Sequence, residues 1–125
     1  MATTYLVDTD ILIDYLRGDL KAVQFLEDHL SACSISVLTV TELFSGAKLA
    51  KQIRHVEVLV QVFKLFSLDL DISRQAGLFR AKYGASHGTG VVDAILAATA
   101  EKHGLCLVSR NKKHFPMVTD LLVPY

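Results

Sequence analysis

The sequence predicts one α/β domain over residues 1–125 with a parallel central sheet, and three observations carry that expectation. Short β-rich runs alternate with helical patterns along the chain, the order that builds a sheet covered by helices. The run LCLVS at residues 105–109 is a strand of the continuously apolar kind that parallel sheets bury on both faces. No repeat, linker or low-complexity tract divides the 125 residues, and that length suits one domain with a real core.

The elements follow in order. Residues 5–7 form a short β-rich run, and Ile11, Leu12, Tyr15 and Leu16 then give a helical face that stops at Gly18. Val23, Leu26 and Leu30 mark a second helix. Residues 34–38 read as a buried strand, and Thr39 with Glu42 has the Ser/Thr-x-x-Glu form of a helix start, which carries the next helix toward Ala50. Val56, Leu59, Val60 and Phe63 lie on a further helix that leads to a short strand at residues 66–70. Asp71 is placed to cap a helix whose face includes Ala76, Phe79 and Tyr83. The stretch GASHGTG, residues 84–90, reads as a loop. Residues 91–103 form the next helix, closed by Gly104 in the C-cap manner, before the 105–109 strand and a last candidate strand at 121–123.

Composition works by exclusion. Thirteen Lys plus Arg balance thirteen Asp plus Glu, so no global basic field marks a general nucleic-acid binder, and any contact with a polyanion has to be local. Cys33 and Cys106 are the only cysteines, without a CxxC pair, which argues for a reducing compartment and against a zinc cage. The five histidines lack HExxH spacing. Apolar residues make up 51%, yet charges interrupt every apolar run well before the roughly 18 residues a spanning helix needs. The N-terminus shows no basic segment followed by an apolar stretch and cleavage site, so the expectation is a cytoplasmic protein without a membrane partner.

Three acids stand out from this background. Asp8, Glu42 and Asp93 each open a helical pattern directly behind a strand-like or glycine-rich stretch, in YLVDTDILID, ISVLTVTELFSG and GTGVVDAILAATA. Ionised carboxylates in apolar surroundings are costly when isolated, and a chain carrying three has reason to gather them around a cation. In parallel sheets ligands collect at the carboxyl ends of the strands, where these acids fall. Carboxylate and water ligands suit Mg²⁺ or Mn²⁺, with no need for imidazole or thiolate. Such an ion acidifies water and offsets charge on a phosphodiester, so phosphodiester hydrolysis is the chemistry this set supports.

The segments LVDTDILID, TVTELFSGA, SHGTGVVDAILAATA and LVSRNKKHF resemble, in order and spacing, the motifs of the PIN-domain ribonucleases, especially the small bacterial VapC-type toxins. The resemblance covers essentially the whole chain. It implies a single PIN-like α/β/α sandwich around a parallel sheet, Mg²⁺- or Mn²⁺-dependent endoribonuclease activity, homodimerisation, and inhibition by a cognate antitoxin. Carried over by motif, Asp8, Glu42 and Asp93 are the acidic metal ligands. The fourth motif departs from its fully acidic form at Asn111, whose amide binds a second cation less well than a carboxylate; its carbonyl oxygen could still ligate or orient a water, so Asn111 joins the catalytic set. Ser109 is a hydroxyl candidate beside it.

Each acid also has a plain structural reading: Asp8 as an N-cap, Glu42 as the capping-box partner of Thr39, Asp93 as a charge facing a helix N-terminus. Only their ordered combination favours the catalytic one. Asp10 and Asp14 read as helix-start and solvent-face residues, with a metal-site role as the minority reading for Asp10. Arg110, Lys112 and Lys113, followed by His114, form the densest cationic cluster, placed to hold RNA phosphates without reading bases. A phosphoacceptor receiver domain would match the length and the Asp8/Asp10 pair, but the chain has Ile53 and Arg54 where a mid-chain acid belongs and no Lys-Pro step. The other alternative is a non-catalytic PIN-like module that binds RNA or a partner.

Overall fold

The computed structural model describes residues 2–125; Met1, the first residue of the expected domain, lies outside them. Ten principal elements follow one another: β1 (Tyr5–Val7), α1 (Thr9–Leu16), α2 (Leu20–His29), β2 (Cys33–Ser36), α3 (Val37–Ser45), α4 (Ala50–Val60), β3 (Lys64–Phe66), α5 (Leu70–His87), α6 (Val91–His103) and β4 (Cys106–Val108). The four strands form one parallel sheet in the order β3-β2-β1-β4, with Leu6 opposite Leu107 and Tyr5 opposite Cys33.

Strand periodicity distributes the core between two faces. On β1, Val7 and the half-buried Tyr5 pack among Ile11, Leu12, Phe25, Leu26, Leu43, Val56 and Leu59, the apolar faces of α1 to α4. Leu6, pointing the other way, packs with Leu96, Ala97, Ala100, Leu107 and Phe115. A third cluster joins Ile72 and Ala76 of α5 to Ala94, Ile95 and Ala98 of α6. The result is an α/β/α sandwich in which α6 is buried through seven consecutive residues, Ala94 to Ala100, four of them alanines that let α5 approach closely. No described helix is long and apolar enough to cross a membrane.

Several boundaries differ from those expected. Strand β2 ends at Ser36, whose hydroxyl accepts the Leu38 N–H at 3.1 Å and caps α3, so the helix starts three residues ahead of the expected capping box. Thr39 is then an interior helical residue, fully buried, and Glu42 lies in the second turn, free of any capping duty. Helix α3 stops at Ser45 instead of running toward Ala50, with Gly46 as its C-cap. Strand β3 covers residues 64–66 where 66–70 was expected, because Asp69, not Asp71, caps α5 by accepting the Ile72 N–H at 2.8 Å. Helix α5 absorbs Gly84 to His87 and breaks only at Gly88, where φ is 67°, a backbone state open to glycine at little cost. Residues 121–123 supply one parallel bridge, Leu122 to Val108, and no full strand.

Candidate active site

The carboxyl ends of β1 and β4 lie side by side, and each releases a polar residue there. Asp8 follows β1 with an extended backbone (φ −70°, ψ 156°) and caps α1. Its N–H donates to the Val108 carbonyl at 2.9 Å, which holds it in line with the sheet. Its two carboxylate oxygens accept the Thr9 N–H and the Ser109 hydroxyl, both at 2.7 Å. Ser109, completely buried after β4, also accepts the Asn111 N–H at 3.0 Å. Asp10 joins this knot: Oδ2 accepts the Arg110 N–H at 2.8 Å and stands 3.5 Å from the Ser109 hydroxyl.

Glu42 reaches the same region from α3. Its Oε1 accepts the Thr9 hydroxyl at 2.5 Å, and Thr9 Oγ1 lies 3.3 Å from that of Thr39, so Thr9 ties the α1 cap to the α3 acid. Asp93 comes from the first turn of α6, where Oδ2 accepts the Gly90 N–H at 3.0 Å and stands 3.3 Å from His114 Nδ1. The Thr89 hydroxyl fixes the His114 carbonyl at 2.8 Å.

Electrostatics single out Asp8, which is 5% exposed. Burial pushes its carboxyl from 3.8 up to about 7, the neighbouring Asp10 and the more remote Asp93 adding to the rise while the Ser109 and Thr9 hydrogen bonds oppose it. Burial also raises Asp10, against the two backbone N–H groups that stabilise its charge. A buried carboxyl flanked by others is what a cation would relieve, and apart from the His114 imidazole beside Asp93 the donors here are carboxylate, hydroxyl and amide oxygens, a hard-ligand set that fits Mg²⁺ or Mn²⁺. In this conformation no three His, Cys, Asp or Glu side chains among the described residues are grouped closely enough to hold one ion. Glu42 is turned onto Thr9 and Asp93 onto Gly90, so the structure gathers Asp8, Asp10 and Ser109 tightly and leaves the other two acids around them.

The remaining sequence candidates fall nearby with different surroundings. Asn111 is exposed and heads the 3-10 turn Lys112–His114, on which Lys112 and Lys113 are exposed and belong to no ion pair among the described residues. The Arg110 guanidinium, in contrast, is engaged by Asp14 at 2.9 Å. The sequence favours Asp10 as a helix-start residue, with a metal-site role only as the minority reading, and gives Thr9 no role; the one signal for either is its place inside the string VDTD.

Parallel strands with acids at their carboxyl ends and helices on both faces define a class, and the comparisons with known proteins agree with it. The model of the PIN domain matches residues 5–120, and this chain belongs to the PIN-domain family. Among its relatives, Ribonuclease VapC10 of Mycobacterium tuberculosis is 36% identical over 123 residues, covering 96% of this chain and 92% of that protein. Ribonuclease VapC19 of the same organism is 32% identical over 124 residues, covering 96% and 98%. The fold is similar to that of a chain in a toxin-antitoxin complex from Klebsiella pneumoniae, with a TM-score of 0.84, 32% identity and 98% of each chain covered.

Proposed function

We propose that this protein is an endoribonuclease that hydrolyses RNA phosphodiester bonds with Mg²⁺ or Mn²⁺, and that it acts in the cytoplasm as the toxin of a toxin-antitoxin pair. The observation that carries the reading is Asp8: a buried carboxyl lifted to about 7 beside Asp10, at the strand ends of a PIN domain. Asp8, Glu42 and Asp93 would hold the ion. When bound, the ion supplies positive charge against the phosphodiester oxygens and makes water a better nucleophile.

The chain's own residues do the rest. Ser109 and the Thr9 N–H pin both oxygens of Asp8, fixing the direction in which its lone pairs face the cleft. The Thr9 hydroxyl keeps Glu42 within reach of the same space. Lys112 and Lys113, exposed and in no ion pair among the described residues, would grip RNA phosphates, and the Asn111 carbonyl is available to orient a water at the edge of the site. For the partners, a groove of about 490 Å³ between α2 and α4, lined by Leu26, Leu30, Leu59 and Val62 among others, offers apolar surface to a cognate antitoxin. Exposed Leu70, Leu78 and Val91 offer the same to a second copy in a homodimer.

The test is to incubate the partner-free chain with structured and total RNA in Mg²⁺, Mn²⁺ or EDTA, with Asp8→Ala alongside. Cleavage that needs both metal and Asp8 is expected. A folded protein that binds RNA or a partner yet cuts under neither metal would refute the enzyme and leave a binding module.

A further inference from the structure

Arg110 is held at both of its ends. Its backbone N–H donates to Asp10 Oδ2 at 2.8 Å, while its guanidinium Nη1 donates to Asp14 Oδ2 at 2.9 Å. Asp10 and Asp14 are one turn apart on α1, so a single residue of the 109–111 loop spans that turn. The same Asp14 oxygen accepts the Tyr125 hydroxyl at 2.7 Å, and the guanidinium carbon of Arg110 stands 5.2 Å from the centre of the Tyr125 ring. Three side chains thus close a triangle in which every member touches the other two. Its segment is anchored to the sheet from the other side, since the Ser109 N–H donates to the Leu122 carbonyl at 3.1 Å and the Leu122 N–H to that of Leu107 at 2.9 Å.

We propose that Tyr125, Asp14 and Arg110 form a clamp that sets the 109–111 loop over Asp8 and Asp10, with Arg110 serving as a positioning residue and not as a grip on RNA phosphate. The loop carries the Ser109 hydroxyl to Asp8 and the Arg110 N–H to Asp10, so its register decides how both carboxyls face the cleft. Charge supports the distinction. Arg110 and Asp14 neutralise one another at contact distance, which removes most of the field a phosphate would feel, whereas Lys112 and Lys113 keep theirs. An exposed ion pair alone would contribute little. Here Asp14 is mostly buried, with a side-chain exposure of 17%, and it accepts from two donors while an aromatic face lies against the cation.

The kinetic consequence rests on the ribonuclease reading of the site; the geometry does not. The variants are Tyr125→Phe, which keeps the ring and removes one hydroxyl, Asp14→Asn, Arg110→Met, Arg110→Lys and the pairwise doubles. On a short RNA in Mg²⁺, each single variant other than Arg110→Lys is expected to lower kcat about tenfold with KM unchanged, within the loss that a small misplacement of reacting groups produces. Doubles should be no worse than singles, and Arg110→Lys should recover part of the loss of Arg110→Met. RNA binding in EDTA should keep its salt dependence in all of them. A phosphate grip gives the opposite pattern: Arg110→Met would weaken binding and reduce the salt slope by about one, while Asp14→Asn would tighten binding by freeing the guanidinium. That pattern overturns the clamp. Amide exchange of Arg110 in the metal-free protein is read in parallel: faster exchange in Tyr125→Phe supports the clamp and unchanged exchange overturns it. If the parent chain cuts no RNA, the ribonuclease reading falls by itself and amide exchange alone decides the clamp.

Discussion

Replacing Asp8 by Asn should relieve the metal-free protein of a stability loss that grows toward alkaline pH, even as it disables the site. The Asp8 carboxyl sits at about 7 in the fold against 3.8 as its ordinary value, because burial and Asp10 disfavour its charge. A folded-state pKa raised above the unfolded one means that the native chain holds the proton more tightly. Stability is then greatest below pH 3.8, falls as pH rises toward 7, and levels off above it. At about 1.4 kcal/mol per pH unit, the full penalty is about 4 kcal/mol, of which about 3 kcal/mol develops between pH 5 and pH 8. Asn cannot ionise and escapes that slope, while Asp10 is common to both proteins and its contribution largely cancels.

The assay is urea unfolding in EDTA at pH 5 and pH 8 for both proteins. The stability difference, Asp8→Asn minus parent, should grow by about 3 kcal/mol toward pH 8 whatever fixed cost the amide carries at Asp8. Adding Mg²⁺ at pH 8 should stabilise the parent selectively, since an ion bound only by the native state adds stability by mass action and the Asn variant lacks the carboxylate proposed to hold it. A difference that stays constant between the two pH values would refute the assignment of Asp8 as a buried, charge-strained carboxyl, and with it the physical argument for a cation.

Other outcomes follow from the same geometry. Glu42→Gln and Asp93→Asn keep an oxygen to accept from Thr9 and Gly90, so the thermal midpoint should hold while cleavage falls by more than about 100-fold, beyond the loss typical of outer-shell partners; normal cleavage by either removes that acid from the site. Asn111→Asp adds a carboxylate at the exposed edge and should lower the Mg²⁺ needed for half-maximal activity, and an unchanged titration would put this position outside the metal's surroundings. Gly88→Ala forces φ of 67° on a residue with a Cβ and brings that atom to 3.7 Å from the His114 ring. Unfolding should show a loss of about 1–2 kcal/mol, and an unshifted midpoint would mean that the turn between α5 and α6 relaxes without cost.

What could be seen from the sequence, and what could not, divides along contact distance. Asp8, Asp93 and the β4 run announce themselves locally, because an acid between a strand and a helix, an acid in the first helical turn behind a glycine-rich stretch, and a continuously apolar run each need only neighbouring residues to be recognised. The start of α3 is harder: Val37, Leu38, Thr39 and Val40 are apolar or β-branched and suit strand or helix equally, so in sequence the Thr39–Glu42 pair has the form of a helix start, whereas in the fold the Ser36 hydroxyl caps the helix three residues earlier. That shift matters chemically, since it frees Glu42 from the backbone and leaves it facing Thr9. Arg110 shows the opposite failure. In the string SRNKKH it reads as one more free cation, yet its charge is spoken for by Asp14, 96 residues away, and Asp14 in turn by Tyr125, 111 residues away. Counting a charge run therefore overstates the free cationic surface of this loop: Lys112 and Lys113 are exposed, while the Arg110 guanidinium is paired with Asp14 in the clamp proposed for the 109–111 loop.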